Sequence, residues 1–504
     1  MSGAIGACGF EAADLIGGQW RSIGGSELRS DNPARPDETV WSGTPVLDHV
    51  DEAVAAARKA QPAWAATSIE DRIEVLRRFQ RLVVEESESL ARLIGREMGK
   101  VLPEARLEAA AVAGKVDITL EDRVMERVRG FTVAAGNGVE GVCRFRPHGV
   151  MAVLGPFNFP AHLPNGHLVP ALLLGNTAVF KPSEKTPAVG QMLADLLHRA
   201  GVPAGVVNLV HGGGDLAAKL VAHPDLDGVL FTGSWPVGRR IMEANLDRPG
   251  RLLALEMGGS NAMAVMPSAN FERAVVEAVR ASFATTGQRC TCTRRIVVHE
   301  AIAERFLATL AKAASTVLVG ASDSQAPAFM GPLVSEAART AAIDFQADLS
   351  HAGARVVVPA CPLDGPGYFL TPGVIAVDRF TRETDREVFA PIVQVATASS
   401  LLDAIEQANA TEFGLASAIF TDDRGEFETF LERSRAGCVN WNTGTAGASS
   451  KLPFGGLGKS GNHRPAGAFS VDYCAMPIAS MEASLSAPVP PMPAGIGFSF
   501  ESAS

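Results

Sequence analysis

From residue 150 onwards the chain repeats one pattern: a short apolar run, a turn marked by Gly or Pro, then an amphipathic stretch. Residues 150–154, 177–180, 206–210 and 228–231 are short, continuous and apolar, so they read as buried strands. Residues 190–200 and a stretch starting near Val237 carry the helical period between them. A strand, a covering helix and a returning parallel strand form the βαβ unit, so a parallel sheet with helices on both faces is expected. The rhythm restarts after residue 252, with strands near 262–265 and 295–299 and helices over 271–283 and 302–314. Upstream, residues 46–65 and 69–98 space their apolar side chains as amphipathic helices, and helical character continues through 103–128. Residues 143–147 alternate like part of a strand or hairpin. The expected class is α/β, with two parallel-sheet domains.

A chain of 504 residues exceeds what one simple core organises, which agrees with more than one domain. Its net charge of −10 argues against nucleic acid or an anionic membrane as partner. Seven scattered cysteines, an odd number, do not form a disulfide framework, so a reducing, cytoplasmic setting is expected. Cys290 and Cys292 are separated by one residue and no His cluster follows, so no metal site is expected. No run reaches the roughly 20 apolar residues that span a bilayer. Residues 484–504, rich in Pro, Ala and Ser, are expected to be partly disordered.

Chemistry concentrates in Gly-flanked turns. Cys290 lies in Gly287-Gln288-Arg289-Cys290-Thr291, and Glu256 in Leu255-Glu256-Met257-Gly258-Gly259. A thiol nucleophile beside a carboxylate base is suited to covalent work on a carbonyl, although most cysteines are inert core residues. Asn158 follows a strand end, where its amide either supports an oxyanion or caps the next helix. Lys181 and Glu184 follow a second strand end, either holding ribose hydroxyls or forming a solvated pair. In the ribose role Glu184 repels a 2′-phosphate and favours NAD over NADP. The turn Gly233-Ser234-Trp235-Pro236-Val237-Gly238 follows a third strand and offers backbone N–H groups to a pyrophosphate, though it lacks the G-x-G-x-x-G spacing. His211 to Asp215 is a second Gly-rich turn. Glu387 and Phe389 suit a second ribose and a nicotinamide, or else mark a strand end.

Taken in order, the Asn158 loop, Lys181/Glu184, Gly233-Ser234, Glu256, Cys290, Glu387/Phe389 and Pro453-Phe454-Gly455-Gly456 resemble the aldehyde dehydrogenase superfamily over nearly the whole chain. The resemblance implies Cys290 as nucleophile, Asn158 with the Cys290 backbone N–H as oxyanion hole, and Glu256 as the base that releases product. It implies NAD as cofactor, an NAD-binding domain over 10–127 and 149–256, and a catalytic domain over 257–474. It also implies a small β oligomerisation element over 128–148 and 475–490, a tail over 491–504, and a homodimer or larger assembly.

Narrower strings are similar to the succinylglutamate semialdehyde dehydrogenase subfamily. They include Arg146-Pro147-His148-Gly149-Val150, Pro164-Asn165-Gly166-His167, Val439-Asn440-Trp441-Asn442, Gly461-Asn462-His463-Arg464-Pro465 and Asp472-Tyr473-Cys474-Ala475. The substrate so implied is an anionic aldehyde with two carboxylates, which needs local cations. Lys115, His167, Arg294 and His463 are the candidates, with Arg295 and Arg464 beside them; Arg289 flanks the nucleophile without a required role. Three places depart from the superfamily pattern: Ser260-Asn261-Ala262 where Asn-Asn-Pro is expected after the Gly pair, Ala390 in place of Gly, and the bulky Trp235-Pro236 near the expected pyrophosphate. The alternative reading is a family member acting on another aldehyde. Retention of Glu256 argues against a coenzyme A-dependent thioester reductase.

Overall fold

The computed structural model describes residues 11–383 and 385–498; residue 10 of the expected first domain and residues 499–504 of the tail lie outside them. The first sheet places Leu252–Met257, Gly228–Gly233, Val150–Leu154, Thr177–Lys181 and Val207–Leu209 side by side, all parallel. Two short antiparallel strands, Ala13–Ile16 and Gln19–Ser22, close its edge. Val150–Leu154 and Thr177–Lys181 are buried at every residue, as continuous apolar runs covered by helices on both faces must be.

The strand order contains a reversal. From Val150–Leu154 the chain steps outward through Thr177–Lys181 and Val207–Leu209, then returns to the opposite flank with Gly228–Gly233 and Leu252–Met257. The crossovers therefore diverge between Val150–Leu154 and Gly228–Gly233, which opens a crevice at the carboxyl ends of those strands.

The second sheet runs Arg355–Val358, Gly373–Ala376, Ile392–Ala398, Thr293–His299, Asn261–Val265, Ala416–Phe420 and Cys438–Trp441, parallel except for the first pair. Leu252–Met257 ends one sheet and Asn261–Val265 begins the other, so Gly258-Gly259 is the seam between them. A third, antiparallel sheet joins Met476–Ala483 to Val139–Arg146 and Phe131–Gly136. Its hairpin turns through Asn137 (φ 52) and Gly138 (φ 74), both left-handed as a tight two-residue Asn-Gly loop requires.

The structure differs from the expected elements at a few ends. The helix expected over 69–98 breaks at Glu86 into Ile69–Glu85 and Ser87–Met98. The helical character expected through 103–128 is present but interrupted at Glu121: helix Leu102–Leu120 is followed by the short helix Asp122–Met125 and a 3-10 turn of helix, Glu126–Val128. The helix expected near Val237 starts at Trp235, because Pro236 is pre-set for a first helical turn. Among the described residues no helix is long and apolar enough to cross a membrane, and no cluster of His, Cys, Asp and Glu forms a metal site.

Candidate active site

The nucleophile turn is strained and heavily braced. After helix Phe271–Phe283 the backbone passes through Thr285 (φ 53), Thr286 (φ 59) and Gly287 (φ 70). Two threonines in the left-handed region cost about 1–3 kcal/mol each, so neighbours must impose the shape. Glu104 does so: its carboxylate accepts the Thr285 N–H at 3.1 and 3.2 Å and the Thr285 hydroxyl at 3.1 Å. The Thr286 hydroxyl donates to Gly331 O at 2.9 Å. Gly287 has no substitute, since a Cβ there would lie 2.0 Å from Ala390 O.

The backbone around Cys290 is fixed by one side chain that sequence reasoning passed over. Asn261 Nδ2 donates to Cys290 O at 2.7 Å and to Cys292 O at 2.8 Å, while its Oδ1 accepts from Ala416 N at 3.0 Å. The Thr445 hydroxyl donates to Thr291 O at 2.7 Å. Cys292 is fully buried with its thiol toward Ala284 O. Cys290, by contrast, is only half-buried.

Glu256 enters from the edge strand Leu252–Met257 of the first sheet. Asn462 extends that edge, donating to Leu253 O at 2.9 Å and accepting from Leu255 N at 2.8 Å. The Glu256 carboxyl is 1% exposed, and neither oxygen meets a partner at hydrogen-bond geometry. Burial pushes it up to about 8; the nearby Cys290 thiol acts against that shift and Glu387 adds to it. Burial, then the carboxylates of Glu256 and Glu387, push the Cys290 thiol well above its ordinary range. An acid this poorly solvated beside a thiol is poised to take up and return a proton. Glu387 is itself raised to about 7 by burial, against the pull of Arg294. Its Oε1 accepts the Gly259 N–H at 2.7 Å, in a notch that exists only because Gly258 lacks a side chain.

Cys290 stands where two cavities meet. The first, about 460 Å³, opens at the sheet crevice and is lined by Asn158, Lys181, Glu184, Gly233, Ser234, Val237, Glu256, Cys290, Glu387 and Phe389. Ten of the residues singled out in the sequence thus share one wall system. Gly213 and Gly214 of the second Gly-rich turn join them. Lys181 Nζ lies 3.6 Å from Glu184 Oε2. The Asn158 side chain, 4% exposed, makes no hydrogen bond among the described residues, so the helix-cap alternative does not hold. The second cavity, about 340 Å³, runs from Cys290 among Glu104, Phe159, His162, Arg289, Ser449, Ser450 and Phe454.

Three expected cofactor residues, Trp235, Pro236 and Gly238, do not line the first cavity. Trp235 packs with its ring 5.6 Å from Lys459 Nζ, and Trp235 and Pro236 leave the first cavity unobstructed. Gly238 faces Met257, where a Cβ would lie 2.2 Å from the sulfur. None of the four expected substrate cations lines either cavity. Lys115 donates to Gly467 O at 2.9 Å and to the Ser470 hydroxyl at 2.7 Å, and burial lowers it to about 8. His167 is held between Tyr473 Oη at 2.8 Å and Thr232 Oγ1 at 3.1 Å, and burial depresses it to about 3. It is a satisfied, neutral core histidine. Arg294 donates to Arg289 O and Ala390 O and stacks 5.2 Å from the Phe389 ring, tying the nucleophile turn to the Phe389 segment. His463 is exposed outside both cavities. Arg295 spends its guanidinium on the carbonyls of Ser260, Gln407 and Ala408, and Arg464 donates to Gly456 O. The cation on the second cavity's wall is Arg289, which sequence reasoning set aside.

A half-buried thiol, a partnerless carboxyl and a free amide at one junction form a set for covalent attack on a carbonyl. The comparisons agree with that chemistry. The sequence model of the aldehyde dehydrogenase family matches residues 20–476. N-succinylglutamate 5-semialdehyde dehydrogenase 2 of Caulobacter vibrioides is 45% identical over 475 residues, covering 94% of this chain and 96% of that protein. The N-succinylglutamate 5-semialdehyde dehydrogenase of Paraburkholderia xenovorans is 44% identical over 470 residues, covering 93% and 96%. Among solved structures, PnpE in complex with nicotinamide adenine dinucleotide superposes with a TM-score of 0.89 at 30% identity, covering 96% of this chain and 99% of that one. The chain belongs to the aldehyde dehydrogenase family.

Proposed function

We propose that the protein oxidises N-succinyl-L-glutamate 5-semialdehyde to N-succinyl-L-glutamate with NAD, through a thioester on Cys290. The observation that carries this reading is the place of Cys290 at the junction of two cavities, one for cofactor and one for substrate. The relatives that bear the substrate in their names match this chain at 43–45% identity. NAD suits the first cavity on structural grounds. The cavity lies at the switch point of a parallel sheet, the start of helix Trp235–Glu243, with Ser234 and Val237 on the cavity wall, suits a pyrophosphate, and Lys181 with Glu184 suit a ribose.

When bound, NAD supplies the hydride acceptor. The Cys290 thiol loses its proton to solvent, and its sulfur forms a bond to the aldehyde carbon. The carbonyl electron pair moves to oxygen, where the Asn158 amide N–H donates to it. Collapse of that hemithioacetal re-forms the C=O bond and expels hydride, leaving the thioester. Glu256 then removes a proton from water; the hydroxide adds to the thioester carbon, the C–S bond breaks, and the thiol regains a proton as the carboxylate leaves. Arg289, with the Ser449 and Ser450 hydroxyls, faces the anionic part of the substrate.

The expected domain boundaries follow the same reading: residues to 256 serve the cofactor, 257–474 carry the nucleophile, and the arm over 128–148 and 475–490 serves assembly. Phe131, Val133 and Met481 are exposed apolar side chains on that arm, which suits a homodimer or larger assembly in the cytoplasm. The primary test is the rate of NADH formation with succinylglutamate semialdehyde beside an uncharged aldehyde of similar length. A strong preference for the dianion is expected; equal use of the uncharged aldehyde would remove this substrate and leave the dehydrogenase standing.

A further inference from the structure

Lys100 and Glu108 form an ion pair whose side chains are both 0% exposed, with Nζ 2.5 Å from Oε2. Fully buried pairs rarely repay their desolvation, so the question is what this one holds. All of its remaining bonding capacity goes to a single loop. Lys100 Nζ donates to Asn158 O at 2.9 Å and lies 3.7 Å above the centre of the Phe159 ring. Glu108 Oε1 accepts the N–H groups of Ala161 and His162 at 3.0 and 3.2 Å. Those N–H groups open helix His162–Leu173 and have no partner within it, so Glu108 caps that helix from a different element. Both charges come from rigid supports. Lys100 sits between helices Ser87–Met98 and Leu102–Leu120, and Glu108 is on the second of them.

The loop so held, residues 158–162, begins with the Asn158 amide, which has no protein partner of its own. A side chain without a partner points where its backbone points it. We propose that the buried Lys100–Glu108 pair is a positioning device that fixes the Asn158 loop, and through it the donor aimed at the developing oxyanion. Glu108 borders the second cavity, but its charge and that of Lys100 are spent on the 158–162 loop, so both act through Asn158. The inference rests on Asn158 being the oxyanion donor.

The test compares two reactions of one thiol. Acylation of Cys290 by p-nitrophenyl acetate builds an oxyanion, whereas its alkylation by iodoacetamide builds none. The K100M/E108L variant replaces the pair with apolar side chains, which a core tolerates better than one orphaned charge. Acylation and aldehyde turnover are expected to fall by about 100-fold, the scale of losing one oxyanion donor or of a small misplacement. Alkylation and NAD affinity by calorimetry are expected to stay at wild-type values, which a general collapse of the site would not allow. Unimpaired acylation, or alkylation depressed as far as acylation, would overturn the inference. Should the double variant fail to fold, the isosteric E108Q, expected to lose acylation and keep alkylation in the same way, decides by the same criteria. N158A run in parallel separates the two layers. Normal acylation in N158A overturns the oxyanion assignment and this inference with it, while a defective N158A beside an unimpaired K100M/E108L overturns this inference alone.

Discussion

The two cavities that meet at Cys290 are made in different ways. The first is built from strand ends and the turns directly behind them: Asn158 after Val150–Leu154, Glu184 after Thr177–Lys181, Ser234 after Gly228–Gly233, Glu256 within Leu252–Met257. The second is assembled from pieces far apart in the chain: residues 104–111 on a helix, 159–163 where a loop enters the next helix, Arg289, then 446–454 and 466–467. A parallel sheet brings strand ends together as a consequence of its topology. Nothing so general brings a helix face to a late loop. The first cavity follows from the fold, and the second from its long-range packing.

The sharpest way to break this division is at the shared wall. Replacing Cys290 by Ala should abolish NADH formation, by more than about 1,000-fold, while calorimetric NAD binding in the first cavity persists. Retained turnover would mean that the chemistry does not sit at the junction.

Next in size is Glu256→Gln. Acylation proceeds and release slows, so a burst of NADH should precede a steady rate reduced about 100-fold. The wild-type rate of release should depend on pH with a clear sign. Glu256 is raised to about 8, so its basic form is lost as pH falls through 8 and gained as pH rises. Release should climb through that window in the wild type and be flat there in the Gln variant. A wild-type profile without a limb near 8 would point to another base.

The same division sorts what the sequence disclosed. Strand runs such as Val150–Leu154 and helix Phe271–Phe283 were legible to the residue, because their apolar spacing is local. Cys290, Glu256 and Asn158 drew notice from their Gly- or Pro-marked turns and were singled out by the order of motifs that resembles the family; the structure places all three on one cavity wall. Lys115 and His167 misled for a physical reason: sequence shows a cation but not whether backbone carbonyls, a serine or a tyrosine hydroxyl already hold it. Glu104 and Arg289 were hidden for the converse reason. Their pairing at 2.7 Å across the nucleophile turn joins residues from a distant helix and a loop. Asn261 was visible only as the unchanged middle residue between two departures, Ser260 and Ala262. Its role becomes apparent once the carbonyls of Cys290 and Cys292 are seen on one amide.

Arg289 sharpens the comparison within the second cavity. It lies against Glu104 and its Nε donates to Thr285 Oγ1 at 2.8 Å, so an entering carboxylate competes with Glu104 for the guanidinium. Glu104 keeps the Thr285 N–H and hydroxyl when that exchange happens. A charge-assisted hydrogen bond is worth about 1.5–3 kcal/mol, or roughly 30-fold at 2 kcal/mol. Arg289→Gln should lower kcat/KM for the dianionic aldehyde by that factor and barely alter it for an uncharged one. Equal losses for both would assign Arg289 to bracing the turn alone.

The smallest expected effect probes the rim of the first cavity. Glu184 is 44% exposed and lies 3.6 Å from the Lys181 ammonium, where a ribose would sit and a 2′-phosphate would meet a negative charge. Glu184→Gln removes that repulsion and leaves Lys181 free to face the phosphate. Solvent screens so exposed a group, so the ratio of NADP to NAD efficiency should rise only about five-fold, equivalent to ~1 kcal/mol. Added salt should shrink the wild-type discrimination and leave the variant's nearly level, because only the former has a carboxylate to screen. A ratio unchanged by both the substitution and the salt would move cofactor selection off this rim and onto backbone shape, the feature that the strand ends share and the second cavity lacks.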